Sequence, residues 1–159
     1  LPVTFYEDTS LLPDFCDYSM KNRTYRYAEN NILYPFGYGL TYSQVECSDL
    51  TYSDKKVSLS VTNTGNSDTE DVVQIYIKGY SENAVPNYSL CGFKRVSLKK
   101  GETQKIELML DESAFEVVDK NGIRKVEGNK FMLFAGTSQP DELSEKLTGT
   151  KCLSLEINI

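Results

Sequence analysis

The chain has 159 residues, a formal charge of -6 and a pI of about 4.8, so it repels a phosphate backbone and nucleic acid is not expected as a partner. Its 40% hydrophobic share is that of a folded protein, and no apolar run approaches the roughly 18 residues that span a bilayer, so no membrane partner is expected either. There is no His, which removes Ser-His-Asp and Cys-His triads and His-based zinc sites from within the chain, and neither a metal nor a cofactor is expected.

Leu1, Pro2, Val3, Thr4, Phe5 and Tyr6 open the chain as a strand-like run without the basic and apolar regions of a targeting segment. With nothing before it to pair with, the run reads as part of a longer polypeptide. Residues 7–44 show no sustained alternation, but they hold Phe15, Tyr18, Tyr25, Tyr27, Tyr34, Phe36, Tyr38 and Tyr42. Aromatic rings bury large areas and dominate interfaces, so an irregular stretch this rich in them is expected to lie against something. The expectation is an arm packed across the next domain, with part of its apolar surface left for a neighbour.

From Val45 onward, short period-two segments alternate with turn residues, the pattern of an all-β sandwich. Residues 56–62 put Val57, Leu59 and Val61 on one face, and residues 63–66 supply a turn. Residues 72–78 put Val73, Ile75 and Ile77 on one face and leave Gln74 and Tyr76 on the other. Residues 90–98 are a strand in which Gly92 marks a bulge or kink, followed by a tight turn at residues 99–102. Ile106, Leu108 and Leu110 mark the next strand. Residues 115–119 and 123–126 flank Lys120, Asn121 and Gly122, and Asn-Gly is a strong hairpin signal. Phe131 to Ala135 is a nearly continuous apolar run that fits a strand covered on both sides, residues 141–146 fit one helical turn, and Leu153, Leu155 and Ile157 close the series. The predicted fold is all-β: an immunoglobulin-like, fibronectin type III-like antiparallel sandwich of about seven or eight strands over residues 45–159, behind a long irregular arm over residues 1–44.

Three adjacent acidic pairs, Glu70 with Asp71, Asp111 with Glu112 and Asp141 with Glu142, read as solvated turn carboxylates rather than catalytic ones. Cys16, Cys47, Cys91 and Cys152 form no C-x-x-C pair and read as free thiols, with two disulfides the alternative in an oxidising compartment. That scatter leans towards a cytoplasmic rather than a secreted setting. Sequons at Asn22 and Asn87 matter only on a secreted eukaryotic chain. Arg23 and Arg26 beside Tyr25 and Tyr27 have two readings. Either they shape the entrance of a neighbouring sugar site or clamp the arm there through bidentate hydrogen bonds, or they stack on the arm's rings and pair with sandwich acids, and the last is preferred.

The opening Leu1 to Phe5, the segment from Asp17 to Tyr27, and above all Tyr34, Pro35, Phe36, Gly37, Tyr38, Gly39, Leu40, Thr41 and Tyr42 resemble the C-terminal region of family 3 glycoside hydrolases, which include β-glucosidases and β-xylosidases. The likeness continues through Asn63, Thr64 and Gly65, residues 71–76, and residues 91–96 with Gly101 and Glu102. It implies that Leu1 to Phe5 ends an α/β domain, that residues 7–44 are a connecting arm, and that the fibronectin-like module follows. The family's nucleophile and acid/base belong to earlier domains, so no catalytic residue is carried over. Arg23, Tyr25, Arg26, Tyr27, Tyr34, Phe36, Tyr38 and Tyr42 are the candidates for interdomain or site-entrance contacts. The expected role is a non-catalytic accessory domain, inactive alone, whose partners are upstream catalytic domains and homo-oligomer contacts. The competing readings are a self-sufficient carbohydrate- or protein-binding module and an adhesive repeat, and the adhesive repeat leaves the aromatic arm unexplained.

Overall fold

The computed structural model describes residues 1–10 and 12–159. The arm contributes strand β1 (Phe5–Tyr6), helix α1 (Thr24–Tyr27) and strand β2 (Ile32–Tyr34). Then come β3 (Val45–Ser53), β4 (Lys56–Asn63), β5 (Thr69–Gly79), β6 (Ser89–Leu98) and β7 (Thr103–Met109). A 3-10 turn (Glu112–Phe115) leads into β8 (Glu116–Val118) and β9 (Arg124–Val126), and β10 (Lys130–Gly136), helix α2 (Glu142–Thr148) and β11 (Leu153–Asn158) complete the chain.

A three-stranded sheet β3-β4-β7 faces a four-stranded sheet β11-β10-β5-β6, with β8-β9 and β1-β2 as small ribbons. All pairings are antiparallel, which is the all-β sandwich the alternation predicts. Val57, Leu59 and Val61 of β4 share the core with Val73, Ile75 and Ile77 of β5, and Ile106, Leu133, Ala135 and Ile157 close it. Each Val, Leu or Ile among them contributes about 1.5–3 kcal/mol when fully removed from water.

Local details depart from the sequence reading in instructive ways. The β5-β6 register slips between Ile75 and Tyr76, which pair with Gly92 and Leu90, so the extra residue of the bulge is Cys91. The β8-β9 hairpin turns through Gly122 alone, at φ 79, whose amide donates to the Asp119 carbonyl at 2.9 Å; Asn121 is not left-handed, so this is not a primed two-residue turn. That geometry belongs instead to the β3-β4 hairpin, where Asp54 and Lys55 have φ 51 and 63. Helix α2 is longer than one turn: the Asp141 carboxylate caps the Ser144 amide at 2.7 Å, and Gly149, left-handed at φ 72, ends it.

The outer face of β5 is where the arm lies. Gln74 and Tyr76 leave the core face as the alternation requires, yet they are 6% and 0% exposed. The arm covers them.

Candidate functional site

The arm is clasped to the outer face of the four-stranded sheet by aromatic packing and backbone hydrogen bonds. Tyr25 of α1 stacks on Phe36 at 4.3 Å between ring centroids and meets Tyr76 edge-on at 6.1 Å, while Tyr88 packs edge-on against Tyr76 at 5.5 Å and Phe134 at 6.1 Å. Such pairs contribute about 0.5–1.5 kcal/mol beyond their area. The Leu90 amide, beside the Cys91 bulge, donates to the Tyr25 hydroxyl at 2.9 Å.

Two amide side chains complete the clasp. Gln74 donates to the carbonyls of Gly37 at 2.9 Å and Thr137 at 3.1 Å, and its carbonyl accepts from the Tyr76 hydroxyl at 2.6 Å. Gly37 sits at φ 80, and a Cβ there would lie 2.7 Å from the Tyr76 hydroxyl and closer still to the Gln74 side chain. Only glycine fits. Asn87 donates both amide hydrogens, to the Tyr25 and Ala28 carbonyls at 2.9 Å each, so the second sequon is occupied by structure. Burial pushes the Tyr76 and Tyr88 hydroxyls above their ordinary values, so both stay protonated.

The eight candidate residues fall into separate places. Tyr25 and Phe36 are in the clasp. Tyr34 stacks parallel to Tyr38 at 5.6 Å beside the β1-β2 ribbon. Tyr27 and the exposed Arg26 line a cavity of about 240 Å³ between α1 and the β8-β9 ribbon. Tyr42 is 95% exposed. Among the described residues Arg23 pairs with no sandwich acid, correcting the preferred reading: its guanidinium donates to the Asp17 and Ser19 carbonyls at 2.6 and 3.0 Å, bracing the arm's own loop. Gly39 has no atom within 4 Å of a would-be Cβ, so it lacks the steric role of Gly37. Gln74, Tyr76, Asn87 and Tyr88 are the members of the clasp not singled out from sequence. For Gln74 and Tyr76 the signal was two large side chains on the non-core face of β5, while Asn87 and Tyr88 lie in the connection before β6.

A family model for the "Fibronectin type III-like domain" matches residues 71–139. Over 157 residues the chain is 37% identical to the "Xylan 1,4-beta-xylosidase" of Xylanibacter ruminicola, covering 94% of this chain and 18% of that protein. It is 31% identical over 157 residues to the "Periplasmic beta-glucosidase" of Salmonella typhimurium, covering 86% and 20%. The structure of a GH3 beta-glucosidase from Bifidobacterium adolescentis matches with a TM-score of 0.69 at 29% identity, over 84% of this chain and 20% of that one. The chain belongs to the fibronectin type III-like domains of family 3 glycoside hydrolases. This fibronectin type III-like domain spans about a fifth of the length of the relatives it matches.

Within the fibronectin type III-like domain the acidic pairs have structural employment. Asp111 accepts from the Ser113 amide at 2.9 Å, and those contacts hold its carboxyl below the usual range. Asp141 caps α2, and exposed Glu70 pairs with Arg95. Glu70 and Asp71 lie on β5 rather than in a turn. Burial pushes the Asp71 carboxyl up, opposed by its hydrogen bond from the Val72 amide. The thiols are free, and burial pushes Cys47 and Cys91 up to about 12 and Cys152 to about 11, which leaves them poor nucleophiles. Among the described residues, no group of three or more His, Cys, Asp or Glu side chains is arranged to hold a metal ion.

Proposed function

We propose that this chain is a non-catalytic accessory domain of a β-glycosidase, of the β-xylosidase or β-glucosidase kind, which stabilises and arranges catalytic domains preceding it in the same polypeptide. One observation carries the reading: the clasped arm also displays Phe15, Tyr18, Leu40 and Tyr42 at 94, 92, 90 and 95% exposure. Phe15 with Tyr18 and Leu40 with Tyr42 line two separate hollows, and apolar side chains left this exposed mark surfaces that a partner covers. The relatives, about five times longer than this chain, have room for that partner.

Retaining glycoside hydrolysis needs two carboxyl groups about 5–5.5 Å apart. Here the acidic pairs serve as helix caps, an ion pair and a strand residue, so the chemistry is assigned to the other domains. The purified chain is expected to show no turnover of aryl β-xylosides or β-glucosides. Turnover that survives purification and vanishes on a single substitution within the chain would overturn this. Titration with xylans and glucans tests the self-sufficient binding module, which saturable binding tighter than about 1 mM would favour. A cytoplasmic setting belongs to the same reading, supported by four free cysteines. Alkylation after denaturation without reductant is then expected to label every thiol in protein taken from its native cells, and an oxidised pair would overturn that setting.

A further inference from the structure

The cavity of about 240 Å³ beside α1 gathers three segments of the chain: Arg26 and Tyr27 of the arm, the connection from β5 to β6, and the 3-10 turn with the β8-β9 ribbon. Its inner wall is apolar, since Ile77, Phe115 and Phe131 border it, each less than 5% exposed. The surrounding walls are tied to one another. Asn87 holds the Tyr25 and Ala28 carbonyls on either side of Arg26 and Tyr27, and the Asn83 amide donates to both carboxylate oxygens of Glu127, just beyond β9, at 2.9 and 3.0 Å.

The charged residues lining this cavity are Arg26, Arg124 and Glu116, a surplus of one positive charge in a chain whose net charge is -6. Other hollows have the opposite sign. The one against α2 carries Asp141, Glu142 and Glu145 against Lys151, and Asp71 is the charged residue of the one beside Tyr42. Among the described residues the Arg26 side chain has neither an ion pair nor a hydrogen bond, and Arg124 meets Glu116 only at 3.9 Å, beyond hydrogen-bond distance. Both forks are open to a ligand.

We infer that this cavity is a binding site for a small organic carboxylate about one ring in size, gripped by the guanidinium groups of Arg26 and Arg124 with its body against Ile77, Phe115 and Phe131. Guanidinium forks match the two oxygens of a carboxylate, and the single surplus charge balances a monoanion, whereas a phosphate dianion would meet Glu116 with a charge left over. Pockets for drug-sized ligands run to about 300–1,000 Å³, so a cavity of about 240 Å³ limits the body to a single ring. Arg26 belongs to the arm and Arg124 to β9, so a bound carboxylate bridges the two and stabilises the clasped arm. The inference goes beyond the accessory role, and a failure to hydrolyse aryl β-glycosides would leave it standing.

The test titrates sodium glucuronate and sodium benzoate, at constant ionic strength, into this chain and into the full-length polypeptide, with glucose and benzyl alcohol as the neutral counterparts. By calorimetry at least one carboxylate is expected to bind both proteins saturably with a Kd of about 1 mM or tighter, and the neutral compounds are not. In this chain the amide resonances that move are expected to be those of Arg26, Ser89, Val117, Arg124 and their neighbours. Arg26→Gln with Arg124→Gln is expected to weaken binding about tenfold or more while leaving the thermal midpoint without ligand where it is, since both side chains are exposed. The inference is overturned if neither carboxylate saturates, if a neutral counterpart binds as tightly, or if the double variant binds undiminished. Binding to this chain that is lost in the full-length polypeptide would overturn it too, because another domain would then fill the cavity.

Discussion

Two stretches of the same arm share a composition and meet opposite fates. Residues 24–38 bring Tyr25, Phe36 and Gly37 onto the sheet, where rings stack and amide side chains close on backbone carbonyls. Residues 12–20 and 40–42 bring Phe15, Tyr18, Leu40 and Tyr42 to near-complete exposure. Aromatic content alone therefore does not say where a ring goes. What separates residues 24–38 from the Arg23-braced loop is whether the sandwich offers a matching polar partner, while beside Leu40 and Tyr42 the Thr41 hydroxyl bonds the Thr69 hydroxyl. Gln74, Asn87 and the bulge-side Leu90 amide all face residues 24–38, and the loop braced by Arg23 satisfies its backbone locally.

The comparison breaks hardest at Gly37. Gly37→Ala combines a left-handed backbone with a Cβ driven onto Gln74 and Tyr76, and is expected to cost about 3–4 kcal/mol in urea unfolding of the isolated chain. Gly39→Ala, with open space around it, is expected to stay within about 0.5 kcal/mol. Equal effects would mean that the clasp is not seated on Gly37. Next comes Asn87→Ala, which strips the Tyr25 and Ala28 carbonyls of their donor and is expected to cost about 2 kcal/mol by the same unfolding measurement.

Smaller and pH-dependent is Asp71, which lines cavities beside Gly39 and Leu40 at the seam between the two stretches. Because burial raises its carboxyl in the folded state, its protonated form favours folding; that contribution is full below the unfolded value near 4 and is lost as pH rises through the raised folded value. Asp71→Asn is therefore expected to raise the thermal midpoint at pH 7, with the gain shrinking to nothing as the pH falls towards about 4. A gain independent of pH would locate its cause elsewhere. Smallest of all, Leu40→Ser with Tyr42→Ser is expected to leave the isolated chain's unfolding free energy within about 0.5 kcal/mol, since both side chains already lie in solvent. A larger loss would put them with the clasped stretch.

The sandwich was legible because its core obeys period two: Val57, Leu59 and Val61, and Val73, Ile75 and Ile77, are the buried residues the alternation names. The same rule was silent on the opposite face of β5, because alternation tells one face from the other but not whether a distant segment returns to cover the second. Tyr76 meets Tyr25 across fifty-one positions of sequence, and no local pattern encodes that approach. Asn87 was hidden by its own context, since a sequon and a backbone clamp use the same amide. Arg23 was singled out for its charge, but its place in the structure follows from its fork geometry and the nearby carbonyls. Turn chemistry was legible as to place and not as to type, as Asp54 with Lys55 and Gly122 show.

The cover over β5 has a practical corollary. The first sandwich strand begins at Val45, so a chain trimmed to start there would keep its inner core and lose the lid over Tyr76 and Gln74. That bare strip of ring and amide would be sticky, and such a truncation would precipitate or self-associate where the longer chain stays dispersed. For expression and crystallisation, the smallest well-behaved unit starts well before the first sandwich strand.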